Sequence, residues 1–498
     1  MRIISYLECP NQIYHLILTI YATSALSADI FYADKQFTQH NYAKALSAYK
    51  KATEVGNPHA YYQLGSMYLQ GLGTEANILD SIAFYSLAAE QDFYKAQMIL
   101  DQIISELPIE SHPKILLFIE EISQKYSYSK IRAKYFPVIK ISLLDDKIMF
   151  DGKDSLQTVF HPEDIDLESL ETSNSASFSL DDEDSDFGGV DDPFGTILTQ
   201  QTTPFLIIDH DIKKDGSIHN VNDVQKFGLH MNLLNEFKLF PLPKPEFQNQ
   251  PTEFPSRSYL GAASFSKFTM LRENERMYRT IVKKKQFFAK QNTLNDQFNL
   301  AMLLLNFPWL GQDEYDVESI LLNLAEQGHS PAMYEYGMKL YREQRKLDQA
   351  IDWISEASKY GLSRAEYRLG TILESSPWVE NDEKKALFWY SSAFEKNNTS
   401  AGMRATRLLL NAAEPSLHNV DRAIEFLERL EETELNNPEF YFLKALVHRK
   451  DKYRDISLTV KYLRDAIFKA QIANWETNDW EELLNRITQG TIYVTDEN

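Results

Sequence analysis

The sequence predicts a mainly α-helical protein, in which two α–α solenoid arms flank a small α+β domain. Three observations predict this fold class. A pattern of small and apolar residues is written twice between Tyr42 and Leu100, at a constant offset (85 − 49 = 36). A related pattern returns after residue 293, and between the two regions the apolar residues follow strand-like runs. A fixed period of about 20 to 50 residues is typical of a solenoid, whose units bury their apolar faces by stacking.

The first helical unit is defined by five residues that recur one period later. Tyr49, Ala52, Glu54, Ala60 and Leu64 recur as Tyr85, Ala88, Glu90, Ala96 and Leu100. The apolar residues of the unit follow helical spacing on both sides of Gly56-Asn57-Pro58. Glycine commonly ends a helix and proline fits the first helical turn, so this tripeptide predicts a turn between two antiparallel helices.

The second helix of this unit carries a family signature. Its residues Ala60-x-x-x-Leu64-Gly65-x-x-Tyr68-x-x-Gly71-x-Gly73 resemble the Sel-like repeat, a relative of the tetratricopeptide repeat. Proteins with such repeats are scaffolds whose curved surfaces hold other proteins. The resemblance therefore implies a protein-binding function and no catalytic residues within the repeat.

The C-terminal arm repeats the same pattern. Ala332-x-x-x-Tyr336-Gly337 aligns with Ala365-x-x-x-Leu369-Gly370 at a spacing of 33 (365 − 332). Later hairpins lose the glycines and resemble plainer tetratricopeptide-type units. The predicted helical domains are residues 29–133 and 293–490, with a basic linker helix at 256–292. This helix either has a solvated basic face or docks on the acidic segment described below.

The N-terminal stretch Ile13–Ala28 is apolar and uncharged, and small residues end it before Asp29. Its length of about 16 residues is short for a membrane span, which needs roughly 20. We therefore expect a signal peptide over residues 1–28 with cleavage near Ala28, a periplasmic location and no stable transmembrane span. A buried first helix or a short anchor is the alternative. Cys9 is the only cysteine, so cleavage would leave a cysteine-free chain, which suits an oxidising compartment.

The predicted middle domain spans residues 134–255. Short apolar runs at 138–143 and 147–150 predict a hairpin. The acidic composition of residues 163–192 predicts a mobile loop, for which a calcium site is the alternative. A strand at Phe205–Ile212, a turn at Asp215-Gly216, a returning strand and a short helix follow. We expect Leu206, Ile208, Ile212, Leu233 and Phe237 to share one core. This order resembles the C-terminal domain of TonB-type energy transducers over residues 205–247, with another small α+β insert as the alternative.

Charge excludes one class of partner. The net charge is −21, and residues 154–212 contain 15 Asp and Glu but no Lys or Arg. Such a chain lacks the basic surface that neutralises a phosphate backbone, so we expect no nucleic acid partner. No nucleotide-binding glycine loop, metalloprotease motif or nucleophile elbow occurs. His210 and His219 could meet across the predicted hairpin, but exposed hairpin histidines are more often incidental. We therefore predict no enzyme activity, no catalytic or metal residues, no cofactor and no small-molecule substrate.

Aromatic residues are the more informative feature, since 27 Tyr and 29 Phe occur. Most are expected to pack between repeats, with Trp353 and Trp389 in the core at equivalent positions (389 − 353 = 36). Aromatic side chains that lie at or near groove positions, or one residue off the core register, could bind a partner. The predicted protein-binding residues are Tyr61, Tyr334, Tyr341, Tyr360 and Tyr367, and we expect Tyr360 at the surface.

The sequence thus predicts a non-enzymatic scaffold or adaptor that binds proteins or peptides in the cell envelope. The alternative is a TonB-like energy transducer or transport accessory that acts with an outer-membrane receptor.

Overall fold

The computed structural model describes residues 29–153, 203–310 and 316–489. The predicted signal peptide and the acidic loop lie outside these residues. The described residues form two compact units, each discontinuous in sequence. The first contains residues 29–142 and 347–459, and the second contains 143–346 and 460–489. The boundaries that the sequence suggested at 133, 255 and 292 stay predictions.

The first unit is built from helical hairpins. Its helices are α1 (Ile30–Thr38), α2 (Tyr42–Ala52), α3 (Pro58–Gln70), α4 (Ile78–Ala89), α5 (Ala96–Ser105), α6 (His112–Tyr126), α7 (Tyr128–Tyr135), and then α14 (Leu347–Lys359), α15 (Ser363–Ser375), α16 (Glu383–Phe394), α17 (Thr399–Asn411), α18 (Val420–Leu430) and α19 (Pro438–Val447). The helix α20 (Ile456–Ile472) begins with the last residues of this unit.

The turn between α2 and α3 confirms the sequence prediction. Gly56 adopts the left-handed conformation (φ 73°), and Pro58 is the first residue of α3. Asn57 caps α3, because its side-chain oxygen accepts a hydrogen bond from the Ala60 amide at 2.8 Å. The Asn57 side-chain amide also donates to the Lys359 carbonyl at 3.0 Å. The N-terminal repeats therefore pack directly on α14.

The second unit combines two small antiparallel sheets with helices. Its strands are β1 (Ile148–Phe150), β2 (Phe205–Ile212), β3 (Ile218–Phe227), β4 (Pro245–Phe247), β5 (Gln250–Pro251) and β6 (Phe254–Gly261). They form sheets of order β3-β2-β6 and β1-β4-β5. The helices are α8 (Met231–Leu239), α9 (Lys267–Glu273), α10 (Glu275–Phe288), α11 (Leu294–Asn306), α12 (Val317–Glu326), α13 (Ser330–Arg342), the rest of α20, and α21 (Asn478–Thr488).

The core of this α+β region lies between β2 and α8. Leu206 and Ile208 pack with Leu234, and Ile212 forms an adjoining cluster with Ile218 and Leu242. Phe237 packs against both clusters, and Leu233 against the first. The predicted residues therefore all lie in the core or pack against it, but in two clusters that share Phe237 and Val221 and not in one.

One predicted hairpin is wrong. Residues 141–143 form a 3-10 turn, and β1 pairs with β4 instead of with residues 138–143. Ile139 forms a bridge with Val379 within the first unit. Residues 138–143 and 147–150 therefore both pair with segments far along the chain, and the local spacing of apolar residues does not predict such pairs. Likewise, the predicted basic helix is interrupted at Asn274, between α9 and α10.

Candidate protein-binding surface

The five tyrosines predicted to bind a partner, Tyr61, Tyr334, Tyr341, Tyr360 and Tyr367, are all buried, with 3–7% of their surface exposed. Tyr61 stacks on Phe84 and Tyr341 on Phe254, while Tyr367 lies beside Tyr390. These rings pack inside their own unit, so none offers an open face.

Tyr360 requires a correction, because the expected surface position is wrong. Its ring lies 6.4 Å from that of His59, and its carbonyl accepts a hydrogen bond from the Ile30 amide at 3.2 Å. The helix α1 therefore lies against Tyr360. Burial raises the pKa of Tyr360 above its ordinary value, with smaller contributions from Glu356 and Asp34, so the phenol stays neutral.

A continuous row of aromatic rings, here called the aromatic strip, lies in the N-terminal part of the first unit. Successive ring centroids along the strip are 5.5–6.5 Å apart. Its members, in spatial order, are Tyr42, Phe37, Tyr49, His59, Phe93, Tyr62 and Tyr94. Tyr94 is 72% exposed, Tyr49 is buried, and the other five are half-buried. The strip therefore combines one buried ring, Tyr49, with rings that are partly or largely exposed.

The elements of the first repeat position the strip. The Asn57 cap fixes the start of α3, which carries His59 and, one turn later, Tyr62. The loop after α4 carries Phe93 and Tyr94, and both Asp92 (φ 50°) and Tyr94 (φ 49°) adopt the left-handed conformation. Such backbone is uncommon for residues other than glycine and is found preferentially at functional sites.

A hydrogen-bonded carboxylate lies in the middle of the strip. Asp34 Oδ1 accepts a hydrogen bond from the Tyr49 hydroxyl at 2.6 Å and lies 2.9 Å from His59 Nε2. The Asp34 side chain is 44% exposed, so its other oxygen can receive a partner's donor. Burial, and then the hydrogen bond to Asp34, raise the pKa of Tyr49 well above its ordinary value. Tyr49 therefore stays a hydrogen-bond donor at any physiological pH.

Metal binding has no support at this surface. Asp34 and His59 supply two potential ligands, and within residues 29–153, 203–310 and 316–489 no group of three His, Cys, Asp or Glu is placed to hold an ion. His210 and His219 do not form one: His210 Nε2 lies 2.9 Å from Ser258 Oγ, and His219 stacks on Trp475. None of the helices in the described ranges is long and apolar enough to cross a membrane.

Sequence reasoning missed Asp34, His59 and Tyr94. Asp34 and His59 meet only because α1 packs beside α3, and no spacing rule connects positions 25 residues apart in separate helices. Tyr62 was visible as a helical aromatic residue one position after Tyr61. Of these two residues, Tyr61 is buried and Tyr62 is half-buried.

Two segments of the chain match a known family. The Sel1 repeat model matches residues 58–93 and 363–398. The first match contains His59, Tyr62 and Phe93 of the strip. The search of curated proteins gives no significant match.

Two solved structures resemble this chain at low similarity. One is a protective antigen of uropathogenic Escherichia coli strains that displays an SLR fold. It has 13% identity, coverage of 94% of this chain and 89% of that chain, and a TM-score of 0.29. The other is a Sel1 repeat protein from Oxalobacter formigenes, with 12% identity, coverage of 81% and 96%, and a TM-score of 0.24.

Proposed function

Since residues 58–93 and 363–398 match the Sel1 repeat model, we propose that the chain is a non-enzymatic scaffold that binds a partner protein through the aromatic strip. The observation that carries this proposal is the row of ring contacts from Tyr42 to Tyr94 around the Asp34 carboxylate. Rigid aromatic side chains bury large apolar areas on binding and lose little conformational entropy.

The strip fits an extended peptide with aromatic or aliphatic side chains and one basic residue. The half-buried rings offer apolar contacts, and Tyr94, the most exposed ring of the strip, offers the largest accessible area. A Lys or Arg of the peptide would pair with the exposed oxygen of Asp34. Charge pairing of this kind favours one orientation of the peptide over the reverse.

Peptide selection tests the proposal. A random peptide library is selected against the full chain, and the affinities of the selected peptides are measured for the wild type, Tyr94→Ala and Tyr62→Ala. Loss of an anchor ring should weaken binding about tenfold or more. Ile109→Ala is the matched control, because Ile109 is an exposed apolar residue of the same unit outside the strip. Selected peptides that bind Tyr94→Ala and Tyr62→Ala as well as the wild type would contradict the proposal.

We further propose that the partner lies in the cell envelope. The support is the apolar, uncharged stretch at 13–28, which lies outside the described residues and has the length and end of a signal peptide. We expect the mature chain to begin near Asp29 and to reside in the periplasm. N-terminal sequencing of the protein from its native host checks this, and an intact sequence over residues 1–12 would contradict it.

A further inference from the structure

A basic surface lies on α9 and α10 of the second unit. Residues 267–290 contain eight Lys and Arg and two Glu, a net charge of +6 in a chain whose total is −21. Six of these basic side chains are exposed, and together they are called the basic face: Lys267, Arg272, Arg276, Arg279, Lys283 and Lys290.

Much of this charge is not neutralised locally. Arg272 pairs with Glu273, and Arg279 with Glu275. Over the ranges that the structure describes, no carboxylate pairs with Arg276 or Lys283. These two side chains therefore lie on α10 as like charges two turns apart, an arrangement that an anionic partner would stabilise.

Exposed apolar side chains are interspersed with the basic face. Phe268 is 70% exposed, and Leu271 and Phe287 are also exposed. The Arg272 guanidinium lies over the Phe268 ring at 5.6 Å from its centroid. A partner that carries both carboxylates and aromatic side chains would match this surface better than a purely charged one.

The chain itself contains such a segment. Residues 163–192 hold twelve Asp and Glu and no Lys or Arg, and they include Phe178, Leu180 and Phe187. The structure does not describe them, but it shows where the chain resumes. Thr203 lies beside the junction of α9 and α10, since its carbonyl accepts a hydrogen bond from the side-chain amide of Asn274 at 3.4 Å. Asn274 is the residue between α9 and α10.

The connection between Asp192 and Thr203 is long enough for the acidic segment to reach the whole length of α10. Asp192 is 11 residues from Thr203 (203 − 192), which span about 36 Å when extended. The helix α10 has 14 residues and is therefore about 21 Å long. The tether also raises the effective concentration of the acidic segment at the face above that of any separate partner.

We propose that the basic face of α9 and α10 is the docking surface of the acidic segment 163–192 of the same chain. Arg276 and Lys283 pair with carboxylates of the Asp181–Asp192 run. Phe187 supplies an aromatic side chain within that run to match the exposed apolar residues of the face. This docking lies in the second unit and does not depend on the peptide-binding function proposed for the first.

Zero-length cross-linking of the full chain tests the docking. A carbodiimide joins carboxylates to amines that are in direct contact, and mass spectrometry identifies the linked residues. We expect links from residues 181–192 to Lys283 and Lys290. The yield of these links should fall about fivefold or more at 1 M NaCl, where the Debye length is about 3 Å.

Charge reversal supplies the matched comparison. The double variant Arg276→Glu/Lys283→Glu removes the amine of Lys283, so the link to Lys290 is measured. The yield of this link should fall about fivefold, because the adjacent positive charges hold the acidic segment. Lys214→Glu/Lys244→Glu is the control, since both lysines are exposed in the same unit and the charge change is equal. The control should leave the link unchanged. Far-ultraviolet circular dichroism verifies that both variants fold.

Three outcomes would overturn the proposal. One is that residues 181–192 link to Lys214 and Lys244 as often as to Lys283. Another is a link yield that does not respond to salt or to Arg276→Glu/Lys283→Glu. The third comes from a mixture of isotopically light and heavy chains: links between a light and a heavy chain would show that a second copy, and not the same chain, occupies the face.

Discussion

The ring of Tyr390 lies directly against the backbone of Gly370, so that a Cβ atom placed on Gly370 would stand 2.5 Å from Tyr390 Cε1. The same relationship holds in the first repeat, where a Cβ on Gly65 would stand 2.8 Å from Tyr85 Cδ2. The two pairs have the same separation (390 − 370 = 20; 85 − 65 = 20). Glycine at this position therefore permits the close approach of consecutive helices in both matched segments.

Gly370→Ala should destabilise the first unit by about 1–3 kcal/mol, because the added methyl overpacks a rigid aromatic contact. Hydrogen exchange should become about 5- to 150-fold faster for the amides of α15 and α16 if they exchange by opening of this packing. Tyr390→Leu provides the comparison. In that background Gly370→Ala should have a smaller effect, since the ring is gone. An equal effect in both backgrounds would contradict the role of the contact.

Local chemistry accounts for what the sequence predicted correctly. The strand Phe205–Ile212 has the predicted bounds, because a turn over residues 213–216 follows it. Gly216 provides that turn with a left-handed backbone (φ 84°). The Gly56-Asn57-Pro58 turn follows from equally local preferences.

Contacts between residues distant in sequence account for the features that the sequence did not predict. Trp353 and Trp389 occupy equivalent repeat positions, yet Trp389 is fully buried while Trp353 is half-buried. The difference comes from the end of α7 and the residue that follows it. The Tyr135 carbonyl accepts a hydrogen bond from Trp389 Nε1 at 2.7 Å, and Phe136 packs on the indole ring. The predicted core position is therefore confirmed for Trp389 alone. The strip was missed for the same kind of reason, since Asp34 and His59 lie on different helices.

A buried ionic cluster holds β2 and β6 to α13 in the second unit. The Arg257 guanidinium donates to Asp209 Oδ1 at 2.7 Å and to Glu335 Oε2 at 2.9 Å, and all three side chains are almost fully buried. Burial opposes the charge of Arg257, but Asp209 and Glu335 outweigh it and keep its pKa well above the ordinary value.

Arg257→Met should destabilise the second unit by about 3–5 kcal/mol, because the buried Glu335 loses its counter-ion and Asp209 is left with the longer pair to Arg342. Urea unfolding followed by hydrogen exchange of β2 and β6 measures the change. Lys226→Met is the control, since Lys226 pairs with Asp223 on the exposed surface of β3 and should matter by about 0.5 kcal/mol or less. Equal losses of unfolding free energy in the two variants would show that the buried Arg257 cluster stabilises the second unit no more than an exposed ion pair does.

His329 caps α13 at the position that asparagine holds in other hairpins. The Ala332 amide donates to His329 Nδ1 at 3.2 Å, as the Ala60 amide donates to Asn57 and the Ala401 amide to Asn398. Because Nδ1 accepts, the ring is neutral and carries its proton on Nε2, which lies 3.0 Å from Asn295 Oδ1. Protonation of Nδ1 would end the cap.

Burial lowers the pKa of His329 from 6.5 to about 4. The unfolded chain therefore takes up a proton at higher pH than the folded chain. The stabilisation is fully present above about pH 6.5 and is lost as the pH falls towards about 4. Hydrogen exchange of α13, corrected for the intrinsic effect of pH, should reveal weaker protection at about pH 5 than at about pH 7. His329→Asn keeps a capping acceptor that does not titrate, so the variant should lose this pH dependence and retain the helix. If His329→Asn loses as much protection at low pH as the wild type does, another group causes the pH dependence, and the neutral-cap role of His329 is wrong.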